Sequence, residues 1–168
     1  MNPSMLRVTN RIIERSRKSR SAYLARIEQA KSDTVHRASL ACGNLAHGFA
    51  ACQPDDKASL KSMLRHNIGI ITSYNDMLSA HQPYERYPDV IRKALHKIGA
   101  VAQVAGGVPA MCDGVTQGQD GMELSLLSRE VIAMSAAVGL SHNMFDGALY
   151  LGVCDKIVPG LAMAAFSF

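Results

Sequence analysis

The chain has 168 residues, 48% hydrophobic and 19% charged, with a net charge of +4. That balance describes a folded protein with one ordinary core and excludes an intrinsically disordered chain. No apolar stretch of about 18 residues runs without polar interruption, and the start, Met1-Asn-Pro-Ser-Met-Leu-Arg-Val, holds no signal-peptide core, so no membrane partner is expected.

The first elements are helical and basic. Leu6, Val8, Ile12 and Ile13 form one apolar stripe of a first helix, with Arg7, Arg11, Arg15 and Lys18 mostly on the wet side. A second helix is expected over 21–31, a third over 35–49, and a short one over 57–64, capped by Asp55 or Asp56. Nine of the 18 basic residues fall in the first 37 positions. Three readings of this arm stand: a phosphate-binding surface for nucleic acid, an organelle transit peptide, and a solvated pair of helices. The helical spacing of its apolar residues favours the last, so nucleic acid is not expected as a partner.

The character changes after residue 65. Ile68-Gly-Ile-Ile-Thr72 reads as a short buried strand, and 87–98 as a helix with Pro88 in its first turn. Val101-Ala-Gln-Val-Ala105 reads as a second strand, and 124–138 as the strongest helix, ended by Gly139. A last strand over 147–153 leads to Cys154, and another helix starts at Gly160. Strands alternating with helices predict an α/β fold: a helical N-terminal region over 1–65, then the start of a parallel β-α sheet domain over 66–168. The chain stops at Phe168 inside an apolar pattern, and three or four strands leave sheet edges uncovered. The expectation is the front part of a longer, truncated domain.

Strand ends that feed helices are where open α/β sheets place their chemistry. Cys154-Asp155-Lys156 follows the last strand, offering a soft thiol, a hard carboxylate and an amine. Asp113 lies at another strand end, in the glycine-rich stretch 106–121, and could share a divalent cation with Asp155. Capping the next turn is an equal alternative for it. The same stretch fits neither a P-loop nor a dinucleotide fingerprint. His81 follows the polar segment 73–79 and could reach a substrate, although a lone histidine is more often packed. Arg129 is read either as an acid clamp or as a helix ion pair. His142 and Asp146, at the start of the last strand, are given a structural role. The cysteines, Cys42, Cys52, Cys112 and Cys154, lack zinc or disulfide spacing and read as reduced thiols.

Two long motifs carry a family resemblance. Cys112-Asp-Gly-Val-Thr-Gln-Gly-Gln-Asp-Gly-Met-Glu-Leu-Ser-Leu-Leu-Ser-Arg-Glu130 and Gly152-Val-Cys-Asp-Lys-Ile-Val-Pro-Gly160 resemble the dihydroxy-acid and phosphogluconate dehydratases. Ser73-Tyr-Asn-Asp-Met-Leu-Ser-Ala-His-Gln-Pro-Tyr84 and Ala41-Cys-Gly-Asn-Leu-Ala-His-Gly-Phe-Ala50 resemble the phosphogluconate branch. The resemblance implies a cytoplasmic hydro-lyase of the Entner–Doudoroff pathway, acting on a sugar-acid phosphate and homodimeric at full length. It implies Cys154 as an iron–sulfur ligand, Asp113 and Asp155 as Mg²⁺ ligands, and Lys156, as a carbamate, completing the Mg²⁺ site. Ser73, Asn75, Asp76 and His81 would line the substrate side. Some family members carry a cluster cysteine in the segment matching 73–81, and its absence here favours a [4Fe-4S] over a [2Fe-2S] cluster. The resemblance matches Cys42, Cys52 and Cys112 to no cluster position, which leaves them structural. It also places the catalytic base, a serine, and a further cluster cysteine beyond Phe168, so the 168 residues alone are expected to be inactive.

Overall fold

A computed structural model describes residues 2–109 and 112–168, so Ala110 and Met111 of the glycine-rich stretch lie outside the described residues. The chain forms two compact units, Met1–Asp33 and Thr34–Phe168.

The first unit is one helix, α1 (Pro3–Ala30), where the sequence predicts two. Asn2 caps it through its side chain, and Pro3 opens it. Serines along it bond back to the helix, Ser16 Oγ to Ile12 O at 2.7 Å and Ser19 Oγ to Ser16 O at 3.0 Å. Such back-bonding satisfies a polar side chain without ending the ladder. No residue of α1 is buried, and the guanidinium of Arg20 lies 5.0 Å from the centre of the Tyr23 ring.

In the second unit the helix expected over 35–49 is broken. A 3₁₀ turn at His36–Ser39 precedes α2 (Cys42–Phe49), and Leu40 and Ala41 between them are extended. Asp146 causes the break from a distance, because its Oδ1 holds the His36 amide at 2.8 Å. Helix α3 (Pro54–Lys61) starts earlier than expected, with Pro54 in its first turn. Asp55 and Asp56 are therefore not caps but first-turn charges that complement the helix dipole.

Strands β1 (Asn67–Thr72), β2 (Val101–Gly107) and β3 (Gly147–Leu151) make, among the described residues, one parallel sheet of order β2-β1-β3. The middle strand buries Ile70 and Ile71, as a strand covered on both faces must. Register slips by one residue between Ile70 and Ile71, which pair with Val104 and Gly106. Helix α4 (Tyr87–Lys97) connects β1 to β2, and α6 (Ser125–Leu140) lies between β2 and β3 after the short α5 (Asp113–Thr116). Helix α7 (Ile157–Ser167) follows β3 and begins before the expected Gly160.

One apolar cluster joins Ile71, Ile132, Ala136, Ile157 and Leu161, packing α6 and α7 on the sheet. A second joins Phe49, Leu60, Val101 and Met144 beneath α2 and α3. Gly139 does not end α6 as expected but lies within it, where a β-carbon would stand 3.2 Å from Ile71 Cδ1. Glycine there serves close approach to β1. At Gly160 a β-carbon would lie 2.9 Å from both Arg129 O and Ile132 Cβ, so α6 and α7 touch backbone to backbone. Gly160→Val is expected to cost about 1–3 kcal/mol by overpacking. Urea midpoints check it against Gly121→Ala, where a β-carbon meets nothing within 4 Å.

Candidate functional site

Because the strands are parallel, their carboxyl ends lie on one edge, the edge at which open α/β sheets bind ligands. The Ser73 amide and hydroxyl both donate to Leu151 O, at 3.0 and 2.9 Å, while the Val108 amide donates to Thr72 O at 3.0 Å. These bonds lock the three strand ends together. They gather the segments beginning at 73, 108 and 152 into one place.

His81 and Cys154 meet there. The imidazole is fully buried, with Nδ1 2.7 Å from the Ser73 carbonyl and Nε2 3.1 Å from Cys154 Sγ. A carbonyl only accepts, so Nδ1 carries the proton and Nε2 turns its lone pair toward the thiol. Cys112 Sγ lies 3.5 Å from Cys154 Sγ. The nitrogen and two sulfurs all lie within 4.8 Å of one another. Cys154 holds a positive φ of 76°, a left-handed conformation that costs a non-glycine residue about 1–2 kcal/mol. Burial pushes its thiol up to about 11, reinforced by contact with Cys112 and by the charges of Asp155 and Asp113.

The oxygen donors stand beside the thiols. Lys156 Nζ lies 2.6 Å from Asp155 Oδ2 and 3.1 Å from Asp113 Oδ2. Asp113 Oδ1 accepts from the buried Ser125 hydroxyl at 2.8 Å. Bonds to Lys156 and Asp113 hold the Asp155 carboxyl below its usual range, and the same two carboxylates raise the Lys156 ammonium. Asp113 is the first residue of α5, with Cys112 at the cap position, and it also faces the Lys156 ammonium.

The remaining predicted residues are more dispersed. The Ser73 hydroxyl is buried and committed to Leu151. Asn75 Oδ1 receives the Leu78 amide at 2.9 Å, leaving its buried Nδ2 without a partner among the described residues. Asp76 is exposed and accepts from the Tyr74 hydroxyl, which raises that phenol to about 12. Arg129 makes no helix ion pair among the described residues. Its Nε is buried and, among the described residues, unpartnered. Asp146 lies at the opposite, amino edge of the sheet and bonds the Asn67 amide at 2.8 Å.

The sequence leaves Cys112 structural, and no spacing rule joins it to Cys154, yet the fold brings the two sulfurs together. The available signal was positional, since each cysteine immediately precedes an aspartate after a strand.

The donor sets fit the two kinds of metal chemistry. Two thiols and an imidazole suit a soft transition metal such as the iron of a cluster. The Lys156 ammonium bridges two carboxylates as a hard cation would, and a carbamate on that nitrogen would add oxygen donors.

Comparison with known proteins follows the same lines. The sequence profile of the family described as dihydroxy-acid/6-phosphogluconate dehydratase N-terminal matches residues 65–168. Phosphogluconate dehydratase of Escherichia coli is 88% identical over 168 residues, covering 100% of this chain and 28% of the relative. The Rhizobium meliloti phosphogluconate dehydratase is 67% identical over 161 residues, 96% of this chain and 27% of its own length. A dihydroxy-acid dehydratase of Trichlorobacter lovleyi is 41% identical over 104 residues, 61% of this chain and 18% of its own length. The chain thus spans under a third of the length of these relatives.

Proposed function

The chain belongs to the dihydroxy-acid/6-phosphogluconate dehydratase family, and from that membership we propose that the whole protein dehydrates 6-phospho-D-gluconate to 2-dehydro-3-deoxy-6-phospho-D-gluconate, the Entner–Doudoroff reaction. The observation that carries this reading is the convergence, on one sheet edge, of the Cys154 thiol with the Asp113–Lys156–Asp155 cluster. The phosphogluconate branch is favoured because likeness to its members extends through all 168 residues, whereas likeness to the dihydroxy-acid relative covers 104.

Cys154 would hold the iron–sulfur cluster, which we take as [4Fe-4S], and Asp113, Asp155 and a carbamylated Lys156 would hold Mg²⁺. When bound, these groups supply Lewis acidity for the departing hydroxyl and for the carboxylate that gains charge as the α-proton leaves. The chain's own part is positional. Ser125 fixes the rotation of the Asp113 carboxylate, so its second oxygen faces Lys156. His81, clamped by the Ser73 carbonyl, fixes where the Cys154 sulfur points. The buried His81 ring keeps water from one side of that sulfur.

Asn75, with its unpartnered amide, and the exposed Asp76 are the side chains of 73–81 proposed to meet substrate hydroxyls. Ser73 and His81 line that side from beneath. Among the described residues no helix is long and apolar enough to cross a membrane. A cytoplasmic homodimer is proposed for the whole protein, with residues 1–168 inactive alone.

The test uses the full-length protein. It should turn over 6-phosphogluconate far faster than gluconate or 2,3-dihydroxyisovalerate, and Cys154→Ser should lose both iron and turnover. Equal turnover of the non-phosphorylated acids would remove the substrate assignment. Full iron content in the Cys154→Ser protein would remove the ligand assignment.

A further inference from the structure

The separations within the thiol–imidazole group come close to those of donors around one metal ion, all three atoms lying within 4.8 Å of one another. Ligands at about 2.0–2.3 Å from a tetrahedral ion stand roughly 3.5–3.8 Å apart. Here Cys154 Sγ lies 3.5 Å from Cys112 Sγ and 3.1 Å from His81 Nε2. An iron of a four-iron cluster instead takes a single thiolate, so a trio this tight is more than such an iron needs.

The group is also built as a ligand set. The His81 Nδ1 proton is engaged by a backbone carbonyl, the outer contact that orients metal-binding histidines and leaves Nε2 free to ligate. The imidazole is buried, which fixes its ring, while both cysteines remain partly open and give an ion a way in. Cys154 keeps its left-handed backbone although another residue type would hold it more cheaply, and such strain gathers at functional positions. Asp113 and Asp155 stand nearby and add negative potential for a cation.

We propose that, in the cluster-free protein, His81 Nε2, Cys112 Sγ and Cys154 Sγ bind a single soft divalent ion of the Fe²⁺ or Zn²⁺ class. The ion replaces the two thiol protons, which pass to solvent, and one coordination position stays open. The site shares Cys154 with the proposed cluster but does not depend on that reading. Its consequence is competition: a zinc ion seated here blocks cluster loading at Cys154.

Co²⁺ alone is the probe, added to full-length protein stripped of iron under reducing conditions. One equivalent should give tetrahedral visible bands and a near-ultraviolet thiolate band. Cys112→Ser and Cys154→Ser should each remove about half of the thiolate band, while Cys52→Ser should leave it whole. His81→Gln should weaken Co²⁺ binding by at least the roughly 10–100-fold seen for loss of an outer contact. Zn²⁺ added first should suppress iron and sulfide uptake in the wild type and much less in the Cys112→Ser protein.

A thiolate band unchanged by Cys112→Ser overturns the proposal, as does the absence of any tetrahedral Co²⁺ species. The serine variant is nearly isosteric, so the result does not hinge on tolerance of a change at buried His81. Iron and sulfide in the Cys154→Ser protein report the cluster reading separately, so either proposal can fail alone.

Discussion

Asp146→Ala is expected to destabilise the fold by about 3–5 kcal/mol, the cost of stranding a buried charge. Arg37 is fully buried, and its guanidinium is held by Leu60 O at 3.0 Å, Arg65 O at 2.5 Å and Asp146 Oδ2 at 3.3 Å. Burial pushes the Arg37 pKa down and the Asp146 carboxylate opposes that shift. The same carboxylate binds the backbone amides of His36 and Asn67, each at 2.8 Å. Its removal leaves one cation and two amides without their acceptor. Asp89→Ala, which breaks the exposed pair with Arg92, should cost no more than about 1 kcal/mol. Urea unfolding of the two variants checks the contrast, and an Asp146→Ala midpoint as close to wild type as that of Asp89→Ala would refute the role given to this hub.

Asp113→Ala in the full-length protein is expected to lower kcat/KM by about 10³-fold, the several kcal/mol that a bound metal contributes to charge stabilisation. Asp113 faces Lys156 with one oxygen and Ser125 with the other, so it is the node of the oxygen donors. Iron content should not change, because the carboxylate lies beside the thiols without being one of them. That separates it from Cys154→Ser, which should lose iron as well. Ser125→Ala should act more weakly, through the orientation of Asp113, and raise the Mg²⁺ requirement by about 10–100-fold. Undiminished turnover by Asp113→Ala at ordinary Mg²⁺ concentration would detach this residue from the reaction.

The sequence made the strands legible because each is a short apolar run closed by polar or glycine-rich chain, and parallel order followed from the helices between them. It also made the strand-end Cys154-Asp155-Lys156 legible. Local pattern could not disclose long-range partners. Arg37 looked like one more member of a basic arm, yet its carboxylate lies 109 positions away. His81 looked like any packed histidine, since only folding brings Ser73 O and Cys154 Sγ to its two nitrogens. The two helices expected within the first 31 residues are one, and the serines along it bond to the preceding turn without ending the ladder.

The tie between Ser73 and Leu151 also sets an order of events. The donors of the soft-metal group come from positions 81, 112 and 154, and β3 brings the last of them to the sheet edge. Until Leu151 docks against Ser73, Cys154 is separated from His81 by a loop of some 70 residues whose closure must be offset by strand pairing. A nascent chain therefore emerges with its thiols apart, and metal capture waits on the pairing of β3 with β1. Ions present during synthesis meet isolated ligands first and the assembled trio only after β3 has docked.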